Sequence, residues 1–306
     1  MLTMSVVRAT VFRLATSAAI EHAVRVVPAA ERQAWRAASR YVAGSTVGDA
    51  WRVAGELHGR GIPSSIDQFG EAVTDEGTAA QVVADYLRVA ADLNAAPEDV
   101  WLSVDLSHLG LDIDRQRCAE HLAAIAAALP PGRRIQVGAE DYDRADAVLR
   151  CILAVAEGEA GPRARVRGGA ADRLGATVQA NLNRSGVDLD LLVAAAVHIR
   201  LVKGAYVEPP DRALPYGEPT DLAYLRLAHR LADAGAQFSL ATHDGVIRES
   251  LLTALGPRPV EHLLGVRPDV LDELVARGVP VRVYVPYGHN WFRYWMRRLA
   301  ESRGTS

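Results

Sequence analysis

Two cysteines in 306 residues, Cys118 and Cys151, leave no material for a disulfide framework or a Cys-rich zinc site. Both fall in predicted helices, which suits a reducing compartment, and a cytoplasmic location is expected. Paired histidines at His-x-x-x-His spacing do not occur either, so no metal is expected. No apolar run approaches the about eighteen residues that cross a bilayer, and Arg8 and Arg13 interrupt the early apolar segment, which argues against a signal peptide. The first twenty residues lack Asp and Glu. A surface amphipathic helix with peripheral membrane contact is one reading of them, and packing against the body of the protein is the preferred one. The dinucleotide fingerprint is missing, because Gly59-Arg-Gly61 precedes a strand where the fingerprint follows one, and there is no P-loop. A net charge of -3 gives no reason to expect nucleic acid.

What is present is a 49% hydrophobic chain able to bury a large core, long enough for one barrel or two ordinary domains. Residues 1–58 read as helices: 24–38 is interrupted by Pro28, and 46–59 opens on the Thr46 cap and ends at Gly59. From Ile62 the pattern changes. Short apolar strands are predicted at 62–67, 100–106, 134–139, 176–179, 197–203, 237–242, 260–264 and 280–285, alternating with helices near 76–93, 114–128, 143–156, 186–195, 221–234, 246–255, 268–277 and 290–302. Eight strand-helix units in succession predict a (β/α)8 TIM-type barrel over 59–302 with an N-terminal helical extension, all in one domain. Residues 157–173, rich in Gly and Arg, read as a surface loop with a solvated charge cluster.

Reactive groups of such barrels sit at the C-terminal strand ends, where the loops converge on one mouth. The suspicious polar residues fall there. Glu71 follows the first strand, Asp105 closes the second, Glu140 follows the third and Gln179 ends the fourth. Arg200 and Lys203 lie on the fifth, Thr242 and His243 end the sixth, and Tyr284 lies on the eighth. This clustering points to an enzyme. Residues 284–301 read Tyr-Val-Pro-Tyr-Gly-His-Asn-Trp-Phe-Arg-Tyr-Trp-Met-Arg-Arg-Leu-Ala-Glu, a strand broken by Pro286 and Gly288 and then a helix. Tyr294, Arg297, Arg298 and Glu301 share one side of that helix, and a guanidinium fork beside a phenol suits a carboxylate.

With Arg200-Leu-Val-Lys-Gly-Ala-Tyr206, this stretch resembles the proline dehydrogenase family, flavin enzymes that oxidise proline, especially its short single-function bacterial form. Arg40-Tyr-Val-Ala-Gly44, Ile66-Asp-Gln-Phe-Gly-Glu71, Ala241-Thr-His-Asp244 and Gly265-Val-Arg-Pro268 follow in the family's order. The resemblance implies FAD, held non-covalently in the barrel mouth. Arg200 would lie near flavin N5, with Lys203 and Gly204 against the cofactor and Gln179 on the ring system. Thr242, His243 and Asp244 would lie along the ribityl and pyrophosphate. It also implies that Glu71 pairs with Arg297 as a latch over the substrate, and that Arg297 and Arg298, steadied by Glu301, hold the substrate carboxylate. Tyr206, Tyr284 and Tyr294 would wall the pocket. The acceptor that reoxidises the flavin, quinone or oxygen, is left open. Two positions depart from the family: Asp105 stands where it carries a lysine, and Gly138 where it carries an aspartate. That exchange should weaken proline binding and could admit another amine or an N-substituted amino acid. A catalytically silent flavin-binding or partner-binding relative is the alternative from another class.

Overall fold

The structure, a computed structural model, describes residues 22, 24, 26–161 and 170–302; in the last helix the side chains of residues 293, 297 and 299–302 lie outside that description. Eight parallel strands close into a barrel in sequence order. They are β1 (Ser64–Gln68), β2 (Val100–Val104), β3 (Ile135–Val137), β4 (Leu174–Gln179), β5 (His198–Val202), β6 (Phe238–Ala241), β7 (Val260–Leu263) and β8 (Val281–Tyr287). Among the described residues two helices precede the barrel, α1 (Pro28–Ala38) and α2 (Val47–His58). Those that follow the strands are α3 (Glu76–Asp92), α4 (Arg115–Ala128), α5 (Tyr142–Glu157), α6 (Ser185–Ala194), α7 (Glu218–Asp233), α8 (Gly245–Leu255), α9 (Pro268–Ala276) and α10 (Trp291–Ser302). The predicted (β/α)8 barrel is therefore present. Among the described residues no helix is long and apolar enough to cross a membrane. The acid-free first twenty residues lie outside the described residues.

Local chemistry sets the boundaries. Thr46 and Asp49 exchange hydrogen bonds in a capping box at the start of α2, and α1 begins at Pro28, whose missing N–H costs nothing at a helix start. Pro286 does not end β8: it pairs with Asp67 of β1, and its carbonyl accepts from Ala43 N at 2.9 Å, so the strand runs on to Tyr287. The Arg40–Gly44 motif is thereby stitched to the top of β8, with Gly288 N donating to Gly44 O at 2.9 Å. Gly265 (φ +72°) lies so close under this strap that a Cβ there would fall inside Arg40 O. Of the predicted charged loop, residues 162–169 lie outside the described residues. Arg173 is not the solvated charge expected, for its Nη1 takes the carbonyls of Ala126, Ala127 and Leu129 at 3.0–3.2 Å and closes the end of α4.

Alternate strand residues face outward and inward. Ile66, Leu102, Val104, Ile135, Val137, Ile199, Leu201 and Leu240, all buried, belong to the continuous apolar core shared with the helices. The inward set is polar where barrels of this class ordinarily stack branched aliphatics. On the floor the Arg282 guanidinium lies 3.4 Å from the Trp101 ring centroid and Arg134 lies at 4.7 Å, while the His198 ring meets Trp101 edge-on at 5.5 Å. Arg282 also donates to Ser64 O at 2.5 Å and Asp99 O at 2.8 Å, and burial pushes its pKa down to about 9. Burial, then the Arg134 charge, pushes His198 down to about 3, so its imidazole is neutral in the folded protein.

A histidine depressed in this way stabilises the fold above its unfolded pKa of about 6.5, and that contribution is lost as pH falls toward 3. Replacing His198→Gln should therefore flatten the acid limb of stability. Between pH 6.5 and 5, urea unfolding should lose less free energy per pH unit than in the parent, by up to about 1.4 kcal/mol. Superimposable pH profiles would mean that His198 is protonated in the native state.

Candidate active site in the barrel mouth

The fifth strand carries the charge at the centre of the barrel. Arg200 is buried and its Nε and Nη2 both meet Glu261 Oε2 of β7 at 2.6 Å. Ser239 of β6 donates to the other oxygen, Oε1, at 2.5 Å, and Arg200 Nη2 reaches Ser65 Oγ of β1 at 3.5 Å. Bonds joining β5 to β7 and β1 run through the lumen, since these strands are not neighbours in the sheet. Burial alone would raise Glu261, but the adjoining Arg200 charge and the Arg200 and Ser239 hydrogen bonds outweigh it and hold the carboxyl below its usual range.

Of 34 basic residues only Lys203 is a lysine. Its Nζ sits 2.6 Å from Asp221 Oδ1 and 2.7 Å from Asp244 Oδ2. A compact ammonium fits between two such carboxylates where a planar guanidinium would not. Asp244 in turn caps α8 by accepting from Val246 N and Ile247 N at 3.0 and 3.2 Å. Beside Lys203, Gly204 (φ +115°) lies against Asn181 so closely that any side chain there would strike the amide. Gln179 donates to Glu140 O at 2.8 Å, and Glu140 itself accepts from Ser107 N at 2.8 Å. Thr242 Oγ1 accepts from Asp244 N at 3.1 Å. Half-buried His243 accepts from Leu263 N at 3.4 Å through Nε2 and stands edge-on to His262 at 4.8 Å. Burial, then the His262, Arg298 and Arg248 charges, presses it down to about 3.

The eighth strand and the last helix supply the aromatic wall. Tyr284 donates to Asp67 Oδ2 at 2.5 Å, and Tyr86 of α3 reaches Asp67 Oδ1 at 3.3 Å and Ser103 O at 3.1 Å. Burial raises both the Asp67 carboxyl and the Tyr284 phenol, and Asp67 raises the phenol further, so the tyrosine keeps its proton. Tyr294 of α10 packs 5.1 Å from Phe69 and 6.3 Å from Tyr284, ring to ring, and the Arg298 guanidinium lies 5.1 Å from the Tyr294 ring. Trp291 against Trp35 of α1, at 5.1 Å, fixes the other end of that helix turn. Tyr206 donates to Ala139 O at 3.2 Å, joining the loop after β5 to the end of β3. Glu71 is exposed on the loop after β1. The side chains of Arg297 and Glu301 lie outside the described residues, and so does the expected latch between Glu71 and Arg297. At the end of β3, a Cβ on Gly138 would fall inside Asp105 Oδ1: the Asp105 carboxylate occupies the space that a residue-138 side chain would need.

A model of proline dehydrogenase matches residues 50–306. The chain is 32% identical to proline dehydrogenase of Deinococcus radiodurans over 89% of its own length and 88% of that protein's. The chain belongs to the proline dehydrogenase family. It is also 30% identical to proline dehydrogenase 1 of Bacillus subtilis strain 168, over 86% of each chain. Its fold is that of proline utilization A (PutA) from Bdellovibrio bacteriovorus, with a TM-score of 0.78 at 20% identity, covering 91% of this chain and 34% of that one. PutA from Bradyrhizobium japonicum gives 0.69 at 22% identity, covering 90% of this chain and 32% of that one. The chain thus spans about a third of the length of those PutA chains.

For a member of this family the mouth suits a flavin on physical grounds. Its lining is polar and charged, and Asn181 Oδ1 and His243 Nδ1 are buried with no hydrogen-bond partner among the described residues. These atoms sit beyond the ends of β4 and β6, where a hydrogen-bonding ring system or ribityl chain would satisfy them. Sequence reasoning missed Asp67, Glu261, Ser239 and Asn181. Glu261 did have a signal, since a charge in the middle of a four-residue strand buried on both faces must find an inward partner, and Arg200 was the cation available. In this family member Tyr284→Phe should cost on the order of 1–3 kcal/mol in chemical denaturation, because Asp67 loses its closest donor in a dry site. A change within about 0.5 kcal/mol would mean that water replaces the phenol there.

Proposed function

We propose that this chain binds FAD in the barrel mouth and oxidises the C–N bond of proline or a related amino acid to an imine. The observation that carries this reading is the buried Arg200 charge held at the centre of a polar barrel in a chain of this family. When bound, FAD supplies the two-electron acceptor for the hydride that leaves the carbon next to nitrogen. The chain's own residues then have separate tasks. Arg298, with Arg297, grips the substrate carboxylate, and Glu301 steadies that pair. Tyr284, Tyr294 and Tyr206 wall the pocket and exclude water, while Glu71 closes the loop after β1 toward α10. Gln179, Lys203, Gly204, Thr242, His243 and Asp244 line the cofactor's length. Arg200 offers fixed positive charge where electron density arrives. The amine must enter as its free base, because a protonated nitrogen has no lone pair to expel hydride. The acceptor that would take the electrons onward, quinone or dioxygen, is left open.

The purified protein should be yellow, and anaerobic addition of substrate should bleach it. Arg298→Met should then raise KM about ten- to a hundredfold, since a charged hydrogen bond in a dry pocket is worth about 1.5–3 kcal/mol. A protein that takes up no FAD would refute the reading. An Arg298→Met variant with the parent KM would assign that arginine to the fold.

A second reading of the substrate rests on one corner of the pocket. The family pocket carries a lysine where this chain has Asp105, and the Asp105 carboxylate fills the space over Gly138 where the family has an aspartate. A carboxylate is thus retained at that corner while the cation is lost, and Asp105 raises the Tyr284 phenol from nearby. An acid in place of a lysine disfavours a substrate carboxylate and suits a further nitrogen, which would admit a more cationic amine than proline. Proline should then bleach the flavin poorly, and Asp105→Lys with Gly138→Asp should shift preference toward it. The two changes must be made together, since Gly138→Asp alone would collide with Asp105. Efficient proline turnover by the parent, unimproved by the double change, would remove this second reading and leave the first intact.

A further inference from the structure

The ion pair between Arg200 and Glu261 does more than hold an arginine in place. Glu261 is 5% exposed and Arg200 7%, so both charges have left water. Such a pair is poor value for stability, because the desolvation of two ions offsets most of their attraction, and apolar residues of similar size commonly do as well or better. The barrel interior also holds Arg134 and Arg282, and the Glu261 carboxylate bears on these two and on Arg200 and His198. Glu261 is the direct counter-charge of Arg200 and is held from two sides: Arg200 on Oε2 at 2.6 Å and Ser239 on Oε1 at 2.5 Å. Asp67, the next inward acid, is raised by burial and already takes the Tyr284 hydroxyl at 2.5 Å.

We propose that Glu261 is a positioning residue and counter-ion that limits how much of the Arg200 charge is felt by the bound flavin, and so holds the flavin's reduction potential down. This rests on the reading of the barrel mouth as the FAD site. Physically, a fixed cation beside the flavin stabilises the electron-rich reduced form, and a carboxylate locked onto that cation cancels part of its field in a medium of low dielectric. The same carboxylate fixes the guanidinium plane, since two nitrogens of Arg200 converge on one oxygen. A balanced pair suits a site that must accept a hydride and then release the electrons to an acceptor, because an uncompensated arginine would favour the reduced state and slow reoxidation.

The test is the midpoint potential of the full-length, FAD-loaded protein, measured against reference dyes. Glu261→Gln keeps the shape and an acceptor for Arg200 but removes the charge. It should shift the equilibrium toward reduced flavin at least about tenfold, a rise of about 30 mV for a two-electron couple. Arg200→Met should shift it the other way, and the Arg200→Met, Glu261→Gln double variant should return near the parent value. Glu261→Asp, a milder change that keeps the charge but draws it back from the guanidinium, should raise the potential by a smaller amount and serves if Glu261→Gln does not fold. A merely structural pair would alter yield or thermal stability and leave the potential of the loaded protein unmoved. An unchanged or lowered potential in FAD-loaded Glu261→Gln, or in Glu261→Asp where only that variant folds, overturns the proposal. In either case a shifted Arg200→Met would leave the flavin reading standing. A parent protein that takes up no FAD overturns both.

Discussion

The constraint from which the mouth follows is the closure of eight parallel strands in sequence order, which fixes for every residue whether it faces the helices or the lumen. Closure removes sheet edges and leaves no freedom of register: shifting one strand by one residue would send Arg200 into the apolar layer and Ile199 into the charged interior. The pairing of Thr177 with Arg200 and of Arg200 with Ser239 therefore does chemical as well as structural duty. It aims a guanidinium across the lumen at a carboxylate two strands away. The cost of an interior filled with Arg134, Arg200, Glu261 and Arg282 in place of stacked aliphatics is met outside the strands, where one continuous apolar core couples the barrel to its helices.

The barrel's top is held by a second, smaller cluster. Ala38 and Val42 near the strap meet Trp291, Phe292 and Tyr294 of α10, with Trp35, Phe69 and Tyr284 packed around them. The strap's backbone bonds to Pro286 O and from Gly288 N leave that segment little freedom. The helix bearing Arg298 thus rests on aromatic surface. Tyr294 connects the layers: it touches Phe69 and Tyr284, and Arg298 lies over its ring.

Much of this was legible in the residues alone. Each predicted strand lies within two residues of its actual start and end, because short apolar runs bounded by Gly and Pro are a strong signal when they recur eight times. Pro286 was read as a breaker, yet β8 continues through it. A proline lacks only a donor, and here its carbonyl is the atom the strap needs. The polar residues at strand ends were visible as a set, but their partners were not. Lys203 reads as a cofactor contact, and the fold also sets it between Asp221 of α7 and Asp244, the cap of α8, a convergence no local spacing encodes. In Ile66-Asp-Gln-Phe-Gly-Glu71 the sequence signals Glu71 and gives no sign of a role for Asp67. Only the barrel's curvature brings Tyr86 and Tyr284 onto it.

The same distinction explains why Asp105 and Gly138 look like two departures in sequence and act as one in space. The parallel register of β2 and β3 sets Val104 beside Val137, so the next residues, Asp105 and Gly138, leave the sheet together, with Gly138 N bonded to Val104 O at 2.8 Å. An aspartate at 105 can fold its carboxylate over residue 138 only if that residue has no side chain, and a glycine at 138 leaves no gap only if its neighbour fills it. Each residue is the condition for the other. A change at either position alone creates a collision or a void, so the pair is a single steric unit.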